Sequence, residues 1–305
     1  MAMVEVQLEI FLLTAIGFML GRRGVLCART CDELIDVLFM VVMPASIIQS
    51  FEMGFTADIV MQTMTVFLIS CGIQCFYWCW NRMCYCHAAD GHRRCLRYAT
   101  MVSNAALIGM PIASAYYGAQ GLMLASVFLI PHRVLMWSYG LSMFAGESGG
   151  GALRRIATHP CVLSIGIGFG VMALYSAGLQ LPGFLVLTIG ALADCSTALG
   201  MIIIGAILSG HALRGALNRE TMRFSVYRLV VIPLIVAVAL RALPIDALAA
   251  QVAALLTAMP AASTTAMLAE KYDCDAAFAS QLVLVSTLGS LITVPVIYWA
   301  LQTLW

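Results

Sequence analysis

The polar side chains able to do chemistry in this sequence stand inside apolar runs. Asn104 lies in SNAALIGMPIAS (103–114) with Gly109 and Pro111, and Ser263 and Thr264 follow Pro260 in LTAMPAASTTAM (256–267). His132 and Arg133 lie in VFLIPHRVLMWSYG (127–140). A guanidinium offers a fork of N–H donors that matches a carboxylate bidentately, so Arg133 suits recognition of an organic anion. Its alternative is a buried ion pair with Asp194, a group that also suits a coupling-proton acceptor. The Asn104 amide donates to a carboxylate or accepts from backbone, which fits an anion site or a structural brace. The hydroxyls of Ser263 and Thr264 either bind substrate or cap freed carbonyls. His132 is a candidate proton carrier near neutral pH, or a hydrogen-bonded helper to its neighbours.

Composition sets where these residues operate. The chain has 305 residues, 62% hydrophobic and 10% charged, with mean hydropathy +0.95. Soluble domains carry about 25% charged residues, so an all-α, multi-pass membrane protein is expected. A net charge of +1, dispersed along the chain, gives no footprint for nucleic acid. Glu5 and Glu9 precede the first apolar run and Arg22 and Arg23 follow it, the reverse of a secretory leader.

A span needs about 20 mostly apolar residues. The sequence predicts ten, at 4–21, 34–50, 57–80, 98–118, 121–145, 161–178, 183–208, 224–243, 247–268 and 276–304. Loops after odd-numbered spans hold 14 of the 16 basic residues, Arg223, Arg228 and Lys271 among them. By the positive-inside rule those loops face the cytoplasm and both termini face out, in a cell (cytoplasmic or inner) membrane. Cutting at 147–160, a short cytoplasmic linker, leaves five spans in 1–146 and five in 161–305.

Five spans per half invert the second copy relative to the first. GMPIAS (109–114) and AMPAAS (258–263) then fall in the fourth span of each half, and Ala125-Ser126 returns as Ala279-Ser280. Aligned on those pairs, Arg133 stands opposite Thr287 and His132 opposite Ser286. Proline removes a backbone donor and clashes one turn earlier, so Pro111 and Pro260 are expected to break their helices. Polar groups freed in this way survive only inside protein or beside a cavity. Matching interruptions in two inverted halves point to a midplane binding site.

NAALIGMPIASAYYG (104–118) resembles the fourth span of the auxin efflux carrier family, and PAASTTAMLAEKYDCDAAFAS (260–280) resembles its ninth. FMVVMPASIIQSF (39–51) and ADCSTALGMIIIGAIL (193–208) give weaker matches to the second and seventh. That family includes plant PIN-type auxin exporters and bacterial malonate and malate permeases. The resemblance implies ten transmembrane helices in a 5+5 inverted repeat with two crossed, broken helices, as in bile-acid symporters and other NhaA-like folds. It also implies a panel domain from spans 1, 2, 6 and 7 and a core domain from spans 3–5 and 8–10. Asn104 matches the family's crossover asparagine. Arg133 stands where members often have a neutral polar residue. Thr265 replaces a second proline of the plant exporters, which argues against auxin itself.

Together these readings give a secondary transporter of small organic anions, mono- or dicarboxylates such as malonate or malate, by alternating access. Its alternatives are a sodium-coupled bile-acid-type symporter and an exporter of auxin-like hydrophobic anions. Substrate would meet Asn104, Gly109, Pro111, Arg133, Pro260, Ser263, Thr264 and Thr287, with His132 and Asp194 as coupling candidates. No cofactor is implied; coupling to protons or sodium stays open, and a homodimer is compatible with the sequence. No paired aspartates, HExxH or Ser-His arrangement points to an intramembrane enzyme. Cys84, Cys86, His87, His92 and Cys95 crowd one loop, but their spacing fits none of the usual zinc patterns. No metal site is expected.

Overall fold

The computed structural model describes residues 2–54, 56–86, 88–140, 143–144, 158–210 and 216–305. The expected linker 147–160 lies outside the described residues up to 157, as does His87 of the cysteine-rich loop. Among the described residues the chain is helical, and its extended pairing is one isolated antiparallel bridge, Ser103 with Ala261.

The helices are α1 (Ala2–Arg22), α2 (Ala28–Val37), α3 (Met43–Ser50), α4 (Ala57–Cys84), α5 (Asp90–Met101), α6 (Met110–Leu135), α7 (Pro160–Ser176), α8 (Gly183–Ser209), α9 (Arg219–Val226), α10 (Ile232–Arg241), α11 (Ala247–Thr257), α12 (Thr264–Lys271) and α13 (Ala276–Leu304). π-helical turns at Leu38–Val42, Ala105–Gly109 and Tyr227–Val231 join α2 to α3, lead into α6 and join α9 to α10. Among the described residues five helices are long and apolar enough to cross a membrane: Ala57–Cys84, Ala105–Leu135, Gly183–Ser209, Arg219–Arg241 and Ala276–Leu304. Helix starts follow their caps. Asn218 accepts from the backbone of Glu220 and Thr221 while Thr221 answers the Asn218 N–H. Asp246 and Asp275 accept from Ala249 (2.9 Å) and Phe278 (2.8 Å).

The chain forms two compact units. One contains α1 to α3, the start of α4, residues 110–127 of α6, and α7 and α8. Within it α1 lies along α8 at backbone contact: a Cβ on Gly17 would collide with the Ile202 carbonyl, and one on Gly205 with that of Thr14. Ser46 bonds the Ala193 carbonyl at 3.2 Å, and Phe51 packs edge-on to Phe169 and against Gly168. The second unit holds the rest of α4, α5, residues 105–109, the end of α6, and α9 to α13.

Two expected spans, the fourth and the ninth, are interrupted. α5 stops at Met101 and helix resumes at Ala105; α11 stops at Thr257 and helix resumes at Thr264. The second break includes Pro260, but the first lies ahead of Pro111. Pro111 lies six residues beyond Ala105 in the resumed helix, directly after the π-helical turn Ala105–Gly109, and such a widened turn accommodates a missing N–H without a break. The expectation of a break at Pro111 is therefore corrected to residues 102–104. After each break the chain turns through a left-handed residue: Gly118 (φ 66°) within α6 and Asp273 (φ 49°) between α12 and α13.

Candidate anion-binding site

The two breaks of the second unit pair with each other. Asn104 N–H donates to the Pro260 carbonyl at 2.8 Å, and Ala262 N–H to the Val102 carbonyl at 3.2 Å. A membrane interior has no water to satisfy open backbone, so each break supplies the groups the other lacks. Two side chains complete the exchange. Ser286 Oγ accepts from Ala261 N–H at 3.2 Å while donating to Leu282 O at 2.7 Å. His132 is buried, accepts from Gln74 Nε2 through Nδ1 (3.3 Å), and bonds the Ser103 backbone. Its ring therefore acts as a fixed connector between α4, α6 and the first break.

Asn104 uses its backbone for the crossover, while its side-chain amide makes no hydrogen bond among the described residues. The amide is thus available to a ligand. Thr264 Oγ1 accepts from Tyr98 OH at 3.2 Å at the start of α12. The Ser263 carbonyl receives Ala266 N–H at 3.1 Å, starting the same helix. Gly109 is a packing position: a Cβ there would press on Leu256 at the end of α11 and Met259 in the second break. Thr287 is buried one residue beyond Ser286.

Arg133 follows His132 near the end of α6 and is 5% exposed. Its Nη1 and Nη2 have no hydrogen-bond partner among the described residues. A guanidinium retained in that condition is costly unless something pairs with it. Asp194 lies exposed on α8, and neither residue enters an ion pair among the described residues. Among the residues whose side chains are described, Arg133 and Arg228 are buried, whereas no aspartate or glutamate is. The charges of both arginines act on the His132 ring. The second unit thus holds a buried guanidinium, that of Arg133, whose terminal nitrogens have no partner among the described residues, and the complement of such a group is an anion.

Arg228 was expected in a cytoplasmic loop. It is instead buried within Arg219–Arg241, donating from Nε to Met259 O (3.0 Å) and from Nη1 to Thr100 O (3.1 Å). Ser286 and Tyr98 were also missed as site-forming residues, although the repeat alignment had placed Ser286 opposite His132. Elsewhere in the unit a groove of about 500 Å³ runs between Thr65–Phe76 and Ile235–Ile245. Its lining carries no charge and does not suit an anion. His92, expected in the cysteine-rich loop, lies instead in the first turn of α5, between Glu220 (2.7 Å) and Asp275 (3.1 Å), and stacks on Phe278. Among the described residues no group of three ligand-type side chains is arranged for a metal.

A comparison with curated proteins finds no match. The sequence profile of the membrane transport protein family matches residues 2–157 and again 148–298, nearly the whole chain. The chain therefore belongs to the auxin efflux carrier family of membrane transport proteins, as the Asn104–Gly118 and Pro260–Ser280 resemblances implied.

Proposed function

We propose that this protein is a secondary transporter of small organic anions, mono- or dicarboxylates with malonate and malate first in line, acting by alternating access across the cytoplasmic membrane. The observation that carries the substrate class is Arg133, whose two terminal nitrogens are buried and have no partner among the described residues. Arg133 neutralises the carboxylate, Asn104 donates its free amide, and Ser263, Thr264 and Thr287 complete the polar wall. Pro111 and Pro260 shape the chain around it. A membrane transport family accounts for the helices and for movement of a solute.

The ten spans form two inverted halves of five, with both termini outside. Support comes from the two helix interruptions, each followed by a left-handed turn. The panel of spans 1, 2, 6 and 7 is supported by the packing of α1 to α3, α7 and α8 into one unit, and the moving core by the other. Asp194, exposed on the panel side, is a coupling-proton candidate. His132, with both ring nitrogens engaged, suits positioning better than proton relay.

The test is counterflow. Proteoliposomes loaded with unlabelled malonate take up labelled malonate, and excess malate competes. Failure of malonate, malate and citrate alike, with uptake of an indole or bile-acid anion instead, would overturn the dicarboxylate assignment in favour of a hydrophobic-anion carrier.

A further inference from the structure

The crossover holds a second buried arginine that the substrate site does not use. Arg228 lies in the π-helical turn Tyr227–Val231, is 1% exposed, and sits over the Tyr77 ring at 5.0 Å. Its two acceptors, Thr100 O and Met259 O, come from the end of α5 and from just past the end of α11. Those are the C-terminal ends of both broken helices, where unpaired carbonyls and the helix dipole gather negative partial charge. In transporters with broken helices such ends commonly coordinate a travelling cation. Here a permanently charged guanidinium bonds one carbonyl from each. A sodium ion seeking the same oxygens would meet a fixed positive charge in a poorly screened interior. No buried carboxylate among the residues whose side chains are described offsets that charge.

We propose that Arg228 is a tethered cation of the crossover, holding the carbonyl ends of α5 and α11 where a coupling sodium ion would otherwise bind, so that anion exchange by this protein needs no sodium. The exchange clause rests on the carboxylate-transport reading, whereas the occupancy of the carbonyl ends does not. Melting of purified protein tests the latter. The parent should melt at the same temperature in sodium chloride and choline chloride. Arg228→Ala should melt lower and be raised again by sodium or by millimolar guanidinium but not by choline, and Arg228→Lys should lie between. A sodium-dependent rise in the parent, or an Arg228→Ala variant as stable as the parent, overturns the proposal. So does a destabilised Arg228→Ala that neither cation raises. If Arg228→Ala yields no folded protein, Arg228→Lys and the parent's response to sodium decide alone. Malonate counterflow in sodium and in choline tests the exchange clause: equal rates are expected, and strict sodium dependence overturns it. If no carboxylate exchanges at all, the substrate reading fails while the melting results still judge Arg228.

Discussion

Asn104 separates a brace from a binding group. Its backbone does the bracing, and its side-chain amide is free among the described residues. Asn104→Ala should change stability by less than about 0.5 kcal/mol yet slow malonate exchange about tenfold or more, the scale of one lost charge-assisted hydrogen bond. Equal loss of stability and exchange, read by melting and counterflow, would return Asn104 to a structural role. Ser286 should behave in the opposite way. Ser286→Ala strands the buried Ala261 N–H, at a cost of about 1–3 kcal/mol. Melting in detergent should show that cost, and an unchanged midpoint would contradict the assignment. At this scale Asn104 and Arg133 were legible because amides and guanidinium groups are conspicuous in apolar runs. Ser286 and Tyr98 were not, since a lone hydroxyl in a membrane helix ordinarily bonds its own backbone. Arg228 was hidden by being counted as a flank: near a span end, sequence alone does not separate a loop arginine from one buried a few turns inside.

At the scale of elements the interruptions were legible, and the position of the first was not. GMPIAS and AMPAAS look alike, yet Pro260 lies in its break and Pro111 lies inside the helix that resumes at Ala105. A break is set by where freed backbone finds partners, here Val102, Asn104, Pro260 and Ala262, and proline only lowers the cost of one. The close approach of α1 and α8 did leave a periodic signal, Gly17 and Gly21 four apart on α1 facing Gly205 and Ser209 on α8, the small-residue spacing that lets membrane helices meet at their backbones. Gly205→Ala would drive a methyl group into the Thr14 carbonyl, which cannot swing aside as a side chain does. Overpacking of this kind costs about 1–3 kcal/mol, so the variant should melt several degrees lower, while Gly72→Ala, with open space around it, should melt as the parent does. Similar melting of the two variants would remove the close approach from the account.

For the whole molecule, composition alone identified a multi-pass membrane protein, and the basic loops proposed its orientation. Burial of Arg228 removes one residue from that argument without reversing it, because 13 of the 16 basic residues still fall in loops after odd-numbered expected spans. Cys27, in the turn between α1 and α2, tests the orientation directly. Its thiol titrates below the usual range because the Thr30 hydroxyl and backbone hydrogen bond it, so thiolate is present at lower pH than for a free cysteine. In a variant retaining Cys27 as its only cysteine, an impermeant maleimide should label inverted vesicles and spare right-side-out ones. Thr30→Ala should slow labelling near neutral pH by restoring the ordinary titration. Labelling from the outer face would reverse the topology.

The central claim is that a carboxylate answers the unpaired charge of Arg133. Malonate counterflow by the parent and by Arg133→Gln, side by side in proteoliposomes of matched protein content, tests it most directly. The account predicts exchange by the parent and a loss of about a hundredfold or more in the variant, the scale of a lost buried charge pair, with both proteins folded by melting. Parent-like malonate exchange in a folded Arg133→Gln variant would contradict it.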